Sequence, residues 1–541
     1  MFAFLLFAPE LEVAFAQHAY PALSGGVDSA VESAMQGVLV SARRDGSPIT
    51  LTVVTDQSGH FEFPSAKLVA GRHTLRIRAA GYELERPQTV TLTPGKAAIV
   101  NVRLRKTRDL AAQLTNTEWL MSMPGRAADK RLLIDCMSCH TLERILRSDY
   151  SADEFVAVMN EMVMYPINTI MSRVQTRVAE RRINDDLGRQ LAEYLATVNL
   201  GKRPDWSFPL RTLPRPTGRA TRVVITEYDL PRKTIAPHDV RTDAQGMIWY
   251  ANFVENFLGR LDPATGAHTE YAYPVNKPGF PAGAAMLEAD QDGNFWLAPL
   301  FQTGLVRFNV RNKRFQIYRL PPEMTTDMTQ QSVVMPGQSH VDGKVWTNDV
   351  SRQAVLRMDI ATGRFELMAP VRNFPKGVNH TRYGIVVNGG NKVLYMDFGN
   401  EGIARIDAGA GDATIFSTPT RQSRPRRLVM DGRGRIWFPE LGANQVAMFD
   451  PQAQTFREWE VQPPHTYPYD VLPDRNGELW IGSMASDRVS RFDPGTGRSV
   501  QYLLPRPTNV RRVFVDNSTQ PVTFWAGSNH GASIVKLEPL D

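Results

Sequence analysis

The sequence predicts a multidomain, mostly β protein: a β-sandwich, then a small α-helical domain, then a seven-bladed β-propeller. Three observations predict it. Apolar and polar residues alternate over residues 20–106, apolar residues recur at helical spacing over 107–201, and beyond residue 221 an aromatic anchor closes a similar strand seven times, at intervals of 42 to 50 residues. A chain of 541 residues also exceeds the roughly 250–300 that one hydrophobic core organises. Its 42% hydrophobic and 22% charged content is that of a folded globular protein, and a net charge of +6 gives no basic footprint for nucleic acid. No internal apolar run reaches the roughly 18 residues of a membrane-spanning helix.

Residues 1–19 open apolar and carry Ala14-Phe15-Ala16, a small-x-small cleavage pattern, before Gln17. They lack a basic start, and Glu10 and Glu12 interrupt the apolar part, so an export signal and a disordered tail both stay open. Over 20–106, "GVLVSARR", "TLTVVTDQSGHFEFP", "GRHTLRIRAAGYEL" and "AAIVNVRLR" read as strands between Gly- and Asp-containing turns. The stretch "TDQSGHFEFPSAKLVAGRHTLRIRAAGYE" resembles the carboxypeptidase regulatory-like domain. That resemblance implies a β-sandwich that presents or positions its neighbours and has no catalysis of its own.

In 107–201, "SADEFVAVMNEMVMY" and "INDDLGRQLAEYLATVNL" have helical spacing, and Ser151 with Glu154 forms a capping box. Residues 202–221 are rich in Pro and Arg, which predicts a semi-rigid linker. The helical segment holds the only two cysteines, in Cys136-Met137-Ser138-Cys139-His140. Two thiols three apart can each add to a haem vinyl group while the adjacent His reaches the iron. A zinc site needs about four ligands and a dithiol or disulfide needs none; both remain as alternatives. Met159, Met162, Met164 and Met171 follow. The run "DEFVAVMNEMVMY" with "LAEYLATVNL" resembles the small cytochrome c domains attached to periplasmic dehydrogenases. The resemblance implies haem c held covalently by Cys136 and Cys139, His140 as one iron ligand and Met162 as the other, with Met164 as the substitute. It also implies export, electron transfer and a periplasmic redox partner.

In the propeller, Trp249, Trp296, Trp346, Tyr395, Trp437, Trp480 and Trp525 are the anchors, and turns such as "GRLDPATG" and "SRFDPGTG" lead to outer strands. The last repeat has no outer strand, while "RVVITEYDLP", Arg222 to Pro231, stands before the first repeat with that pattern. This predicts a ring closed by an N-terminal strand, leaving no open sheet edge. The repeats around "PHDVRTDAQGMIWYANFVENFLGRLDPATG" and "RPRRLVMDGRGRIWFPELGANQVAMFDP" resemble streptogramin B (virginiamycin B) lyases over 220–541. That resemblance implies a magnesium-dependent carbon–oxygen elimination on a cyclic depsipeptide or related ester. It places His238, in the Pro-His setting of blade one, and Glu440, in the Trp-x-x-Glu setting of blade five, as catalytic candidates. Arg426 and Tyr469 stand where blades five and six would carry His, and Asn252 replaces the Glu after Trp249.

The inner-strand starts carry Arg382, Arg424, Arg426, Arg427, Arg511 and Arg512 beside His238, Asp239 and Asp470. If they converge, Arg382, Arg426, Arg427 and Arg511 would bind an anionic small molecule at the mouth; otherwise they form solvated pairs on separate loops. There is neither a Gly-rich nucleotide turn nor a P-loop. Three functions are therefore expected in this order: an exported c-type cytochrome fused to a ligand- or partner-binding propeller, a lyase, and a non-catalytic binding module wired to a cytochrome chain.

Overall fold

The aromatic anchors mark a repeated local device. In the turn between a blade's first and second strands an Asp accepts from backbone N–H groups, as Asp243 does from Gln245 and Met247, and its second oxygen accepts from the indole N–H of the anchor. The Asp–Trp bonds are 2.7 Å for Asp243–Trp249, 3.0 Å for Asp290–Trp296, 2.9 Å for Asp431–Trp437 and 3.0 Å for Asp474–Trp480. A third-strand arginine then lies over the ring, as Arg260 does over Trp249, Arg307 over Trp296, Arg357 over Trp346 and Arg491 over Trp480. The indoles of Trp249, Trp296, Trp437 and Trp480 thus have their one polar atom satisfied, whereas Trp525 Nε1 is buried without a hydrogen bond.

The computed structural model describes residues 21–178, 185–336, 342–352, 354–368, 383–388, 393–398, 401–410 and 413–541. The signal-like segment 1–19 and Arg382 lie outside the described residues. Among those described, six four-stranded antiparallel sheets follow one another from Pro237–Thr242 to Arg498–Leu503. The seventh blade takes Val513–Asp516, Thr523–Ser528 and Ser533–Pro539 from the C-terminal repeat, and Val223–Asp229 as its outer strand, paired Val223↔Pro539 to Asp229↔Ser533.

That outer strand is not an edge. Its far side pairs with Ile49–Val54 of the N-terminal module, through Ile225↔Thr52 to Tyr228↔Ile49, and the sheet continues through Leu39–Arg44, Gly71–Arg78 and Gln88–Leu92. Blade seven and one sheet of the sandwich are therefore a single eight-stranded sheet. The second sheet carries Pro21–Ser29, His60–Pro64, Tyr82–Leu84 and Val102–Lys106, and Val224 joins Leu23, Val40, Phe61, Phe63 and Val102 in the core between them. Ion pairs Arg43–Asp229 at 2.5 Å, Arg78–Asp487 at 2.6 Å and Lys67–Glu538 at 2.8 Å cross the seam.

Among the described residues the helical segment has five α-helices, α1 Asn116–Ser122, α2 Ala127–Arg131, α3 Leu142–Leu146, α4 Ala152–Met162 and α5 Asp185–Val198. Two expectations need correction. The segment is not a separate compact domain, because Trp119, Leu133, Met137 and Phe155 share one core with Leu441, Tyr467, Met484 and Ala485 of blades five and six. It forms a cap on the propeller. Residues 202–221, expected as a semi-rigid linker, are packed into the fold: Trp206 stacks edge-on against Trp119 at 4.7 Å, Phe208 and Leu210 enter the same core, and Leu213 N donates to Glu118 at 2.7 Å. Apolar residues between the prolines supply this packing, which composition alone hides. Among the described residues no helix is long and apolar enough to cross a membrane.

Asp474→Ala would leave the Trp480 N–H buried without an acceptor. Urea unfolding should show a loss of about 1–3 kcal/mol; an unchanged midpoint would mean that the Asp–Trp bond contributes nothing.

Candidate functional site

Cys136–Ser138 is a single 3-10 turn closed by Cys139 N to Cys136 O at 3.5 Å. From the cap, Met137 anchors it in the core and Asn116 accepts from Leu142 N at 2.8 Å just beyond it. From the propeller come three donors. Asn509 Nδ2 donates to Met137 O at 3.1 Å, His530 Nε2 donates to Ser138 O at 3.1 Å, and Arg511 Nη2 donates to the same Ser138 carbonyl. The cysteine motif is thus fixed on blade seven, at the mouth of the ring. The cap also reaches blades one and two, where Ile170 packs on Ala236, Phe253 and Leu300 and Asn168 donates to Phe253 O at 3.1 Å.

Both thiols are unpaired. Burial, reinforced by Asp135, pushes the Cys136 thiol up to about 12; burial raises Cys139 as well, against the nearby Arg511 charge. Burial lowers His140, favouring neutral imidazole. Its Nδ1 lies 3.0 Å from Thr141 O, and a carbonyl can only accept, so Nδ1 carries the proton and the lone pair is on Nε2. Two free thiols and an imidazole with Nε2 available are the donor set that covalent haem requires. Elsewhere in the cap, the apolar side chains of Met162, Ile167, Met171, Val174 and Leu187 are 43 to 56% exposed. Met159 instead belongs to the cap core, and Met164 is half-buried.

Beneath the turn the axis is charged and closed on itself. His238 Nδ1 meets Asp239 Oδ1 at 2.7 Å, Arg427 Nη2 donates to the same oxygen at 3.3 Å and to Tyr383 OH at 3.2 Å. Arg512 donates to Glu288 at 2.7 Å and to Asp470 at 3.4 Å, and Arg241 pairs with Glu288. Burial opposes the Asp239 charge, yet Arg427 and the His238 bond hold it down at about 2; burial pushes His238 down to about 4. Arg241, Arg427 and Arg512 are matched by Asp239, Glu288 and Asp470.

The described arginines therefore converge, each with partners inside the protein. Arg427 is buried against Asp239 and Tyr383, Arg511 holds the cysteine turn, Arg424 pairs with Asp135 of the cap at 3.0 Å, and Arg426 lies over the Tyr383 ring. His238 and Glu440 are each held in different hydrogen-bonding surroundings. Glu440 is fully buried on blade five beside Ser423 and Glu458, with neither carboxylate oxygen in a well-formed hydrogen bond, and no hydrogen bond or ion pair links it to His238. Asn252 is structural, accepting from Ala236 N and Val254 N. Among the described residues no cluster of three or more His, Cys, Asp or Glu is placed to hold a metal ion. Asn509 and His530 carry no motif, and their bonds to the turn span more than 370 positions.

Residues 282–537 match the model of the virginiamycin B lyase family, and residues 22–105 match that of the carboxypeptidase regulatory-like domain. Among solved structures, a selenomethionine-substituted virginiamycin B lyase from Staphylococcus aureus is 19% identical with a TM-score of 0.50, covering 58% of this chain and 99% of that one. A streptogramin B lyase is 18% identical with a TM-score of 0.51, covering 60% and 99%. Such likeness establishes fold: the propeller is virginiamycin B lyase-like and the N-terminal domain carboxypeptidase regulatory-like. Neither family model reaches residues 107–201. No curated protein sequence matches the chain.

Burial and the neighbouring Glu458 push Glu440 up to about 8 from an ordinary 4.5, so the fold favours its protonated form. The associated stability is complete at low pH and is lost as pH rises through about 8. Glu440→Gln should match the wild type near pH 4 and exceed it by about 1 kcal/mol or more near pH 9 in urea denaturation. Parallel stability curves for the two proteins would disprove the shift.

Proposed function

We propose that this protein is an exported one-electron carrier, with haem c attached through Cys136 and Cys139, ligated by His140 and carried at the mouth of the propeller. The observation that carries this reading is the turn itself: two unpaired thiols and an imidazole whose proton is fixed on Nδ1, all in five consecutive residues. The group supplies a reversible single-electron change at iron. This chain's residues would do the rest. The thiols tether the group, His140 Nε2 ligates it, and the uncovered apolar side chains after α4 exclude water from it.

Met162 is favoured as the second ligand because it ends α4 exposed, whereas Met159 is occupied in the core. Export suits the reading, since a chain with two cysteines committed to thioethers has none left to mispair in an oxidising compartment. The partner would be a periplasmic one-electron carrier. The β-sandwich and propeller would position it, and the continuous sheet between them supports rigid presentation.

Magnesium-assisted carbon–oxygen elimination is less well supported. It needs a base and a metal-holding carboxylate about one substrate, and His238 and Glu440 have separate surroundings. A binding propeller without chemistry of its own fits a mouth that is capped.

The test is the visible spectrum of protein exported alongside a haem-maturation system. A sharp reduced α band that survives denaturation, with haem staining on a denaturing gel, is expected; a colourless mature protein would overturn the reading. Cys139→Ala should lose most of the stain, and Met162→Ala should lose the long-wavelength sulfur-to-iron band while keeping it. An unchanged band would move the ligand to Met164 or elsewhere.

A further inference from the structure

Arg511 differs from the other arginines at the mouth. It is buried, and among the described residues it makes no ion pair with a carboxylate. Its Nε donates to Asn509 Oδ1 at 2.8 Å and its Nη2 to Ser138 O, so both bonds end on neutral groups. The remaining surroundings are aromatic, with the guanidinium carbon 5.4 Å from the Phe253 ring centre and 6.0 Å from that of Tyr469. A full positive charge thus sits in a low-dielectric site, one hydrogen bond from the peptide between the two cysteines. Arg427 and Arg512, by contrast, are paired with Asp239, Asp470 and Glu288.

An uncancelled cation acts most strongly on charge that changes nearby. Oxidation of an iron held by this turn adds one positive charge, and Arg511 disfavours that charge. The neutral carbonyl dipole that Arg511 holds cannot offset it.

We propose that Arg511 is a positioning residue through which the propeller sets the reduction potential of the cysteine turn, fixing the Ser138 carbonyl by geometry and favouring the reduced state by its unpaired charge. The proposal rests on the haem reading above. It gives the propeller a part in the redox chemistry that needs no substrate in the mouth. The reaction is the uptake of one electron by ferric iron to give ferrous iron, the electron coming from a soluble one-electron mediator.

The experiment is a mediator-coupled spectroscopic redox titration of the haem-loaded full chain. Arg511→Gln, which keeps a donor and removes the charge, should raise the oxidised-to-reduced ratio at a fixed potential about tenfold, equivalent to a fall of about 59 mV for one electron. Arg511→Lys, which keeps the charge, should restore most of that change. Arg498→Gln, on the exposed outer strand of blade six, should leave the potential unmoved. Arg511→Met, a second neutral variant of similar length, repeats the test if glutamine unsettles the turn. A loaded neutral variant with the wild-type potential overturns the proposal, as does a lysine variant shifted as far as the glutamine one, since charge would then not be the cause. A wild type that takes no haem stain is a separate outcome and removes the haem reading itself.

Discussion

The architecture depends on the two-sided pairing of strand Val223–Asp229. One edge closes the propeller against Ser533–Pro539 and the other receives Ile49–Val54 of the sandwich, so from Ile225 to Tyr228 the strand is paired on both sides. Both flanks of the helical segment are consequently tied to blade seven: the sandwich before it by shared sheet, the strand after it by ring closure. Residues 107–222 must leave and return to one place, which restricts them to the nearest propeller surface. The apolar side chains at the top of blades five and six, Leu441, Tyr467 and Met484, make that surface adhesive. The cap position follows from connectivity and burial together.

Charge at the axis follows the same economy of burial. A guanidinium removed from water needs either a carboxylate or a set of oriented dipoles. Arg427 and Arg512 take carboxylates from neighbouring inner strands, whereas Arg511 takes a backbone carbonyl, an amide and two ring faces. Buried pairs of the first kind rigidify the axis and cancel one another's field. The second kind leaves a field in place. A row of arginines that looks uniform in sequence is thereby divided into structural and electrostatically active members.

How much of this is legible in the sequence depends on range. The blade period is legible because each repeat carries its own aromatic anchor and turn, and the closing strand is legible because Arg222–Pro231 repeats the outer-strand pattern. The cysteine turn is legible as chemistry for the same local reason. Its setting is not. Asn509 and His530 reach it across most of the chain, and neither has a neighbour pattern that distinguishes it from other loop residues. The prolines of 202–221 conceal Trp206 and Phe208, whose burial depends on Trp119. His238 and Glu440 match a motif apiece, yet the motif records only a position in a blade. Whether two blades turn their residues toward one substrate is a tertiary property.

A group that exchanges electrons benefits from a site that moves little when its charge changes. The cysteine turn is short, and an isolated 3-10 turn has poor hydrogen-bond geometry of its own. Here its two outward carbonyls, those of Met137 and Ser138, receive three donors from a single blade that is itself part of an eight-stranded sheet. The rigidity of the turn is borrowed from the propeller. On this view the lyase-like ring has kept its fold while its mouth has been given over to supporting the cap. On the proposed reading, function would lie in the contact between cap and ring, at Ser138 and Arg511, and in neither part alone.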